Sequence, residues 1–461
     1  MSRISPLLGC LFFTSCVLGP QPGDPEVATP GAIRGDASPH GESFGDKAWR
    51  QVFPDPTLRS LIERALAANP DLVAATFRIE QARAAAAATR ADWYPQVGGG
   101  AGASANYASR NAGQIPAGAS RSSDGYDLTA SLSWELDLWG GIRRSNEAAR
   151  ARLLEAEFRR DAVQTSLISA VAATYIELKN LDERLAIAKR TEQSRRASLD
   201  LVTARSEGGV GSDLELGQAE ALLAQARTAI PIAEQAITAK ENEIRFLLGE
   251  FPASVTRGGS LDSLERSLRI KGGLPASLLE RRPDVAAASQ AYRSAVAEIG
   301  VAEALRLPSL ALTGSGGVVS QSFDNLLKSG STAYTVGPSL AGPIFDAGRN
   351  TARVRAAKAR ADEALATHDR AAKLAFREAA TAINAHRKTG EIITEQGKLV
   401  EANRKIARVA NERFEGGQSS YLEVLDAERS LFTSELELSD ARRNRLLSVV
   451  EAYRALGGGW K

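Results

Sequence analysis

Aromatic side chains are scarce in this chain, at 6% of residues, and no apolar run approaches the roughly 18–20 residues that a membrane-spanning helix needs. If the chain crosses a membrane, it must do so with strands. Cysteine is confined to Cys10 and Cys16, both within the first sixteen residues, where no disulfide could staple a fold. The single methionine is the initiator, which argues against a path for copper or silver ions. Of the three histidines, His40 stands alone, and His368 and His386 lie too far apart on one expected helix to share a metal. Basic and acidic residues nearly cancel, 57 against 55, so no positive excess recommends a nucleic-acid partner. No Ser, His and Asp arrangement or phosphate loop emerges, and no enzyme is expected.

What the chain does have is a change of period. From Leu128 to Asp137 the residues alternate, with Leu128, Ala130, Leu132, Trp134 and Leu136 on one side. Thr129, Ser131, Ser133, Glu135 and Asp137 occupy the other. After Gly140 and Gly141 the text becomes rich in Ala, Arg and Glu without alternation, the start of a long helix. A strand with one apolar face thus feeds directly into a helix.

The chain begins with Arg3, an apolar stretch and small residues before Cys16, which reads as a lipoprotein signal over 1–15 with acylation at Cys16. Cys10 fits the cleavage motif but leaves too short an apolar core ahead of it. Residues 16–48, rich in Pro, Gly, Asp and Ser, read as an extended tether. Order is expected from Trp49, and Asn69-Pro70-Asp71 starts a helix with Asn69 as N-cap.

The same text recurs. Pro70 and Pro95 correspond to Pro283 and Pro308, since 283 − 70 and 308 − 95 both give 213. Beyond the strands Arg205, Glu207, Gly208 and Gly209 correspond to Arg413, Glu415, Gly416 and Gly417 at 208. The chain is therefore a duplication, 49–249 and 283–461, joined by 250–282, with five residues missing from the second strand pair or its loop. Each copy reads helix, strand, loop, strand, long helix, tight turn, helix. The strands fall at about 97–138 and about 309–342, and the helical hairpins at about 141–249 and 346–457. Four strands cannot close a membrane barrel, whose smallest forms need about eight, so several chains must pool them or the sheet is a soluble one. The first long helix would run about 97 Å, and two shorter ones could lie alongside it.

The tail AYRALGGGW, the phrase GLPASLLERRPDV, the junctions WELDLWGG and GPIFDAGR, and the run CVLGP after the signal together resemble the outer-membrane factor family of TolC-like efflux ducts, most closely its acylated OprM/NodT-like branch. The resemblance covers the mature chain in family order. It implies a mainly helical fold with a membrane β-barrel: a homotrimer whose twelve strands form one outer-membrane barrel, continued by twelve helices as a periplasmic tube. Leu128, Leu132, Trp134 and Leu136 would face outer-membrane lipid, and Thr129, Ser131, Ser133, Glu135 and Asp137 the lumen. Gly140, Gly141 and Gly348 would mark the strand–helix junctions. Partners would be a periplasmic adaptor and an inner-membrane transporter of the RND type; no cofactor beyond the lipid on Cys16 is implied. Glu423 and Asp426, three apart on one helix face, match the family's constriction acids and become gate residues. Glu215 is the first copy's equivalent of Glu423, with a locking role. Phe414 stands where some relatives carry tyrosine, and a phenyl ring cannot donate the hydrogen bond that a phenol would. Set beside the drug and small-molecule efflux duct are a duct for polypeptide secretion or metal-ion efflux, and a structural lipoprotein with no pore.

Overall fold

The computed structural model describes residues 17–21, 23, 25, 47–109, 111, 120–267 and 282–458. Cys16, the signal, most of the tether and 268–281 lie outside the described residues. In chain order the elements are α1 (Trp49–Val52), α2 (Pro56–Ala68), α3 (Pro70–Ala91), β1 (Gln96–Tyr107), β2 (Ser122–Leu136), α4 (Gly141–Glu207) and α5 (Asp213–Leu247). There follow α6 (Leu261–Ser267), α7 (Pro283–Ala304), β3 (Ser309–Ser320), β4 (Thr332–Ala341), α8 (Arg349–Glu415) and α9 (Tyr421–Ala455).

The duplication is visible in element lengths. Helices α3 and α7 have 22 residues each, α4 and α8 have 67, and α5 and α9 have 35. Strand β2 has 15 residues against 10 in β4, and the loop before β4 is shorter as well, so the loss in the second copy falls on the second strand and its loop rather than on a helix. Helices α3 and α7 end at Ala91 and Ala304, each four residues before a proline. In both, the last residues before the proline tighten to i−3 bonds, such as Tyr94 N–H to Ala91 O and Leu307 N–H to Ala304 O, both 3.0 Å.

The chain divides into two compact units. The first comprises 1–25, 79–156 and 288–368. Its four strands form one antiparallel sheet in the order β1-β2-β3-β4. The register aligns the alternation across all four. Val97 faces Leu132, which faces Gly314, which faces Val336; Leu136, Leu310 and Leu340 form another row, and Leu128 and Val318 a third. Directly paired residues share a face, so one side of the sheet is mainly apolar, giving way to Ser320, Asp124 and Thr332 at the end away from Leu136. The other side carries rows such as Gly98, Ser131, Ser315 and Thr335. Leu128, Val336 and Leu340 are exposed although apolar, and β1 and β4 each pair on one side only. Such a face and two open edges are both unfavourable in water.

At the end of β2 the chain turns at Gly140, with φ +79°, and at the second junction at Gly348, with φ +83°, a region that glycine enters without penalty. Gly141 is already helical, and a Cβ there would press on Ala304 Cβ at 3.1 Å. Asp137 does not join the polar face of the sheet: β2 ends at Leu136, and the Asp137 carboxylate accepts from Ile142 N–H (2.9 Å) and Arg143 N–H (3.1 Å). The first free amide donors of a helix draw in a nearby carboxylate. Asp346 does the same for α8 through Asn350 N–H at 3.0 Å. Trp134 and Trp139 donate their indole N–H to the carbonyls of Trp93 (3.1 Å) and Pro308 (2.7 Å), tying the strand end to the residues that precede β1 and β3.

The second unit, 26–78, 157–287 and 369–461, holds the larger core. Helix α2 enters it behind Asp55, which accepts from Leu58 N–H at 2.8 Å, and buries Leu58, Leu61, Ile62 and Ala65. Asn69 caps α3 as its sequence suggested, accepting from Asp71 and Leu72 N–H at 2.9 and 3.1 Å. Phe53, Tyr175, Ile176 and Tyr453 lie at the centre of this cluster.

Candidate gate at the helical turns

The two hairpins, α4–α5 and α8–α9, each close within the second unit in a glycine turn. Gly209 (φ +77°) and Gly417 (φ +69°) take the left-handed conformation that ends a helix. Matching bonds follow: Val210 N–H to Arg205 O at 3.0 Å in the first, Gln418 N–H to Arg413 O at 2.8 Å in the second.

In the second hairpin α9 starts at Tyr421 and turns Val424, Leu425, Ala427 and Glu428 inward. Glu423 and Asp426 occupy the opposite, exposed face, as their spacing required. Glu423 Oε2 lies 3.7 Å from Arg413 Nη1, with both side chains 49% exposed. Lys405, Ile406, Val409 and Arg413 of α8 join the two acids around an open groove of about 580 Å³. This face combines two carboxylates, two cations and an aliphatic floor.

Glu215 is placed differently. It is the third residue of α5, and its carboxylate accepts from Ser212 N–H while Ser212 Oγ accepts from Glu215 N–H, both at 3.3 Å. The acid is engaged in a reciprocal cap of its own helix. Glu423, Asp426 and Glu215 are therefore not one cluster within the chain.

Residues to which the sequence assigned no joining role connect the hairpins. Arg205, read only as a marker of the repeat, donates from Nη1 to Phe414 O at 3.0 Å and lies 4.7 Å over the Phe414 ring. Phe414 packs edge-on against Tyr421 at 5.3 Å. Burial pushes the Tyr421 phenol up to about 12, with Glu428 adding to the rise, so it stays neutral. Phe414 thus needs no hydroxyl to meet the first hairpin: its carbonyl and ring face take a cation from it.

Arg195 and Glu428 form a second link. The Arg195 side chain is 1% exposed, donates to Leu222 O (2.7 Å) and Gln225 Oε1 (3.1 Å) of α5, and stacks over Phe432 of α9. Its Nε stands 3.9 Å from Glu428 Oε2, and Ser194 Oγ–H donates to Glu428 Oε1 at 3.1 Å. Burial lowers the arginine's affinity for its proton and Glu428 opposes that. A charged pair shut away from water this far is costly to break from one side. No periodicity signals it, because single arginines on long helices are usually solvated.

Comparisons with known proteins bear on the whole chain. A family model described as outer membrane efflux protein matches residues 61–250 and 274–458. The toluene efflux pump outer membrane protein TtgI of Pseudomonas putida is 32% identical over 467 residues, covering 99% of this chain and 98% of that protein. Among solved structures, the outer-membrane channel OprN superposes with a TM-score of 0.87 at 32% identity, over 96% of this chain and 100% of the other. The open state of the MtrE outer membrane channel of Neisseria gonorrhoeae superposes with a TM-score of 0.85 at 29% identity, over 97% of this chain and 99% of that one.

Proposed function

The chain belongs to the outer membrane efflux protein family, and on that premise we propose that three copies pool their sheets into one twelve-stranded barrel whose passage is gated by the second hairpin's acids. The chain is the outer-membrane channel of an efflux system, in a family of ducts rather than enzymes. The observation that carries the trimer is the sheet itself: an apolar face across four strands, bounded by two open edges, is satisfied when copies pair edge to edge and the apolar face meets lipid. Leu128, Leu132, Trp134 and Leu136 then face lipid, and Trp134 and Trp139 sit at the inner interface.

Three copies bring six carboxylates, Glu423 and Asp426 from each, to the periplasmic end of the tube. Such a ring holds the passage narrow and favours cations until partners spread the helices. Those partners are a periplasmic adaptor and an RND-type transporter of the inner membrane, and the chain is acylated at Cys16. The likeness to a toluene efflux protein favours small apolar organic molecules as cargo. Polypeptide secretion, metal efflux and a pore-less structural role have no comparable support.

The test is electrical. Purified protein in planar bilayers should be trimeric by crosslinking and should conduct weakly, and changing Glu423 and Asp426 to alanine should raise the conductance several-fold. Monomeric behaviour sinks the barrel, and unchanged conductance in the double variant sinks the gate.

A further inference from the structure

Residues 17–19, expected to belong to a loose tether, are instead held in a built seat. Arg144, in the first turn of α4, has a side chain only 4% exposed. Its Nε donates to Leu18 O at 3.0 Å and its Nη2 to Gly19 O at 3.1 Å, while Nη1 reaches Glu147 Oε2 at 2.8 Å. A guanidinium buried to this degree requires acceptors, and two of these three come from the N-terminal segment. Leu18 N–H returns a bond to Trp139 O at 3.1 Å.

At three positions the backbone packed around the segment leaves no room for a side chain. Gly19 has φ +83°, and a Cβ there would stand 2.6 Å from Gly300 Cα. A Cβ on Gly300 would stand 2.6 Å from Leu18 O, and one on Gly140 would stand 2.9 Å from Val17 Cγ1. Gly140 and Gly300, far apart in sequence, thus both make room for residues 17–19, and Gly19 within the segment makes room for Gly300. Gly140 therefore has a second reason to be glycine besides its φ.

We propose that Arg144, Gly140 and Gly300 form a seat for residues 17–19 that fixes where the acylated N terminus enters the membrane, with Arg144 as the positioning residue. The anchoring part rests on the acylation proposed for Cys16. Residue 16 is one peptide unit, about 3.8 Å between Cα atoms, from Val17. Val17 in turn lies against Gly140, four residues after the last residue of β2 and its apolar face. The acyl chains therefore leave the protein beside the strand–helix junction and need no length of chain to reach lipid. A mobile tether would let them wander; the seat holds them to each protomer's own junction.

Hydrogen exchange at the Leu18 amide of the full-length trimer in lipid nanodiscs tests this, together with the mass of the N-terminal peptide. Arg144→Ala and Gly300→Val should each speed Leu18 exchange by about tenfold or more, because each removes the seat by a different route. Arg144→Lys, which keeps the charge but not the fork, should fall between them and wild type. Trimers confirmed by size exclusion remove misfolding as the cause. Leu18 exchanging as fast as in a free peptide while Cys16 carries lipid overturns the seat, as does Arg144→Ala protecting as well as wild type. A protected Leu18 beside an unmodified Cys16 overturns the anchor role by way of the acylation reading.

Discussion

The two turns that close the hairpins carry the same pattern and fold it differently. Ser212-Asp213-Leu214-Glu215 and Ser420-Tyr421-Leu422-Glu423 both place serine at the N-cap and glutamate three residues on. The first makes the reciprocal cap, whereas in the second the serine side chain makes no cap bond and the glutamate lies beside Arg413. The preceding arginine accounts for the difference. Arg205 is drawn across to Phe414 of the other hairpin, while its repeat equivalent, Arg413, turns to its own hairpin's acid.

A second repeat pair behaves alike. Asn69 and Arg282 hold equivalent places before α3 and α7, and each bonds the end of a hairpin: Asn69 Nδ2 to Leu247 O at 2.9 Å, Arg282 Nη1 to Ala455 O at 3.2 Å. The first is a neutral amide. The second is a buried cation that also binds Asp284 through two bonds and Glu378 at 2.8 Å. Duplication has thus left the first copy with local or neutral contacts at these two places and the second with ion pairs. Contacts built from ion pairs respond to acid, salt and partners, and the gate acids lie in that second copy.

The largest effect that would sharpen this contrast is at Arg282. Arg282→Ala should cost about 2–3 kcal/mol, near the low end for breaking a buried pair because Asp284 is 41% exposed and can rehydrate. Asn69→Ala should cost about 1 kcal/mol, as for other lost caps. Denaturant unfolding in detergent measures both, and equal costs would dissolve the distinction. Of this pair, acid should act at Arg282 and not at Asn69. Burial disfavours the Asp284 carboxylate, but the Arg282 bonds outweigh it and hold its pKa below the usual range. A depressed pKa stabilises the fold fully above the unfolded value of about 3.9, and that stability is lost as pH falls through the folded value. Asp284→Asn should therefore be less stable than wild type at neutral pH and equal to it in strong acid.

Next in size is Arg205. Arg205→Ala removes a charged hydrogen bond to a carbonyl and the stacking on Phe414, together about 1–3 kcal/mol. Because both contacts cross between hairpins, the loss should also raise single-channel conductance, whereas Arg413→Ala should destabilise less. Reversal of that order in paired conductance and unfolding measurements would break the comparison.

Much of this architecture was legible in the text. Period two in Leu128 to Leu136 and its repeat gave the strands, since a pleated strand with one wet face can be written in few other ways. The glycine turns and the Asn69 cap followed from backbone demands that few residues meet. What could not be read were contacts between elements distant in sequence: Arg144 with Leu18, Arg195 with Glu428, Arg205 with Phe414. An arginine has the same local signature whether solvated or buried, so only the packing distinguishes them. Asp137 misled for the opposite reason. It continued the alternation by one residue, and the helix start behind it took its carboxylate.

The smallest effects are at the two acids themselves, and they should be opposite in kind. Glu215→Gln weakens a cap and should cost about 0.5–1 kcal/mol while leaving conductance unchanged, because its carboxylate serves its own helix. Glu423→Gln should barely alter stability, since a pair with both members half exposed contributes about 0–1 kcal/mol, yet it should raise conductance. Salt separates the two further. Raising ionic strength from about 0.01 M to about 1 M shrinks the screening length from about 30 Å to about 3 Å, which weakens the Arg413–Glu423 pair and the repulsion among the acids but hardly touches a hydrogen-bonded cap. Wild-type conductance, corrected for bulk conductivity, should therefore change with salt; Glu215→Gln should follow the same curve, and Glu423→Gln should flatten it. A curve flattened by Glu215→Gln instead would move the gate to the first hairpin.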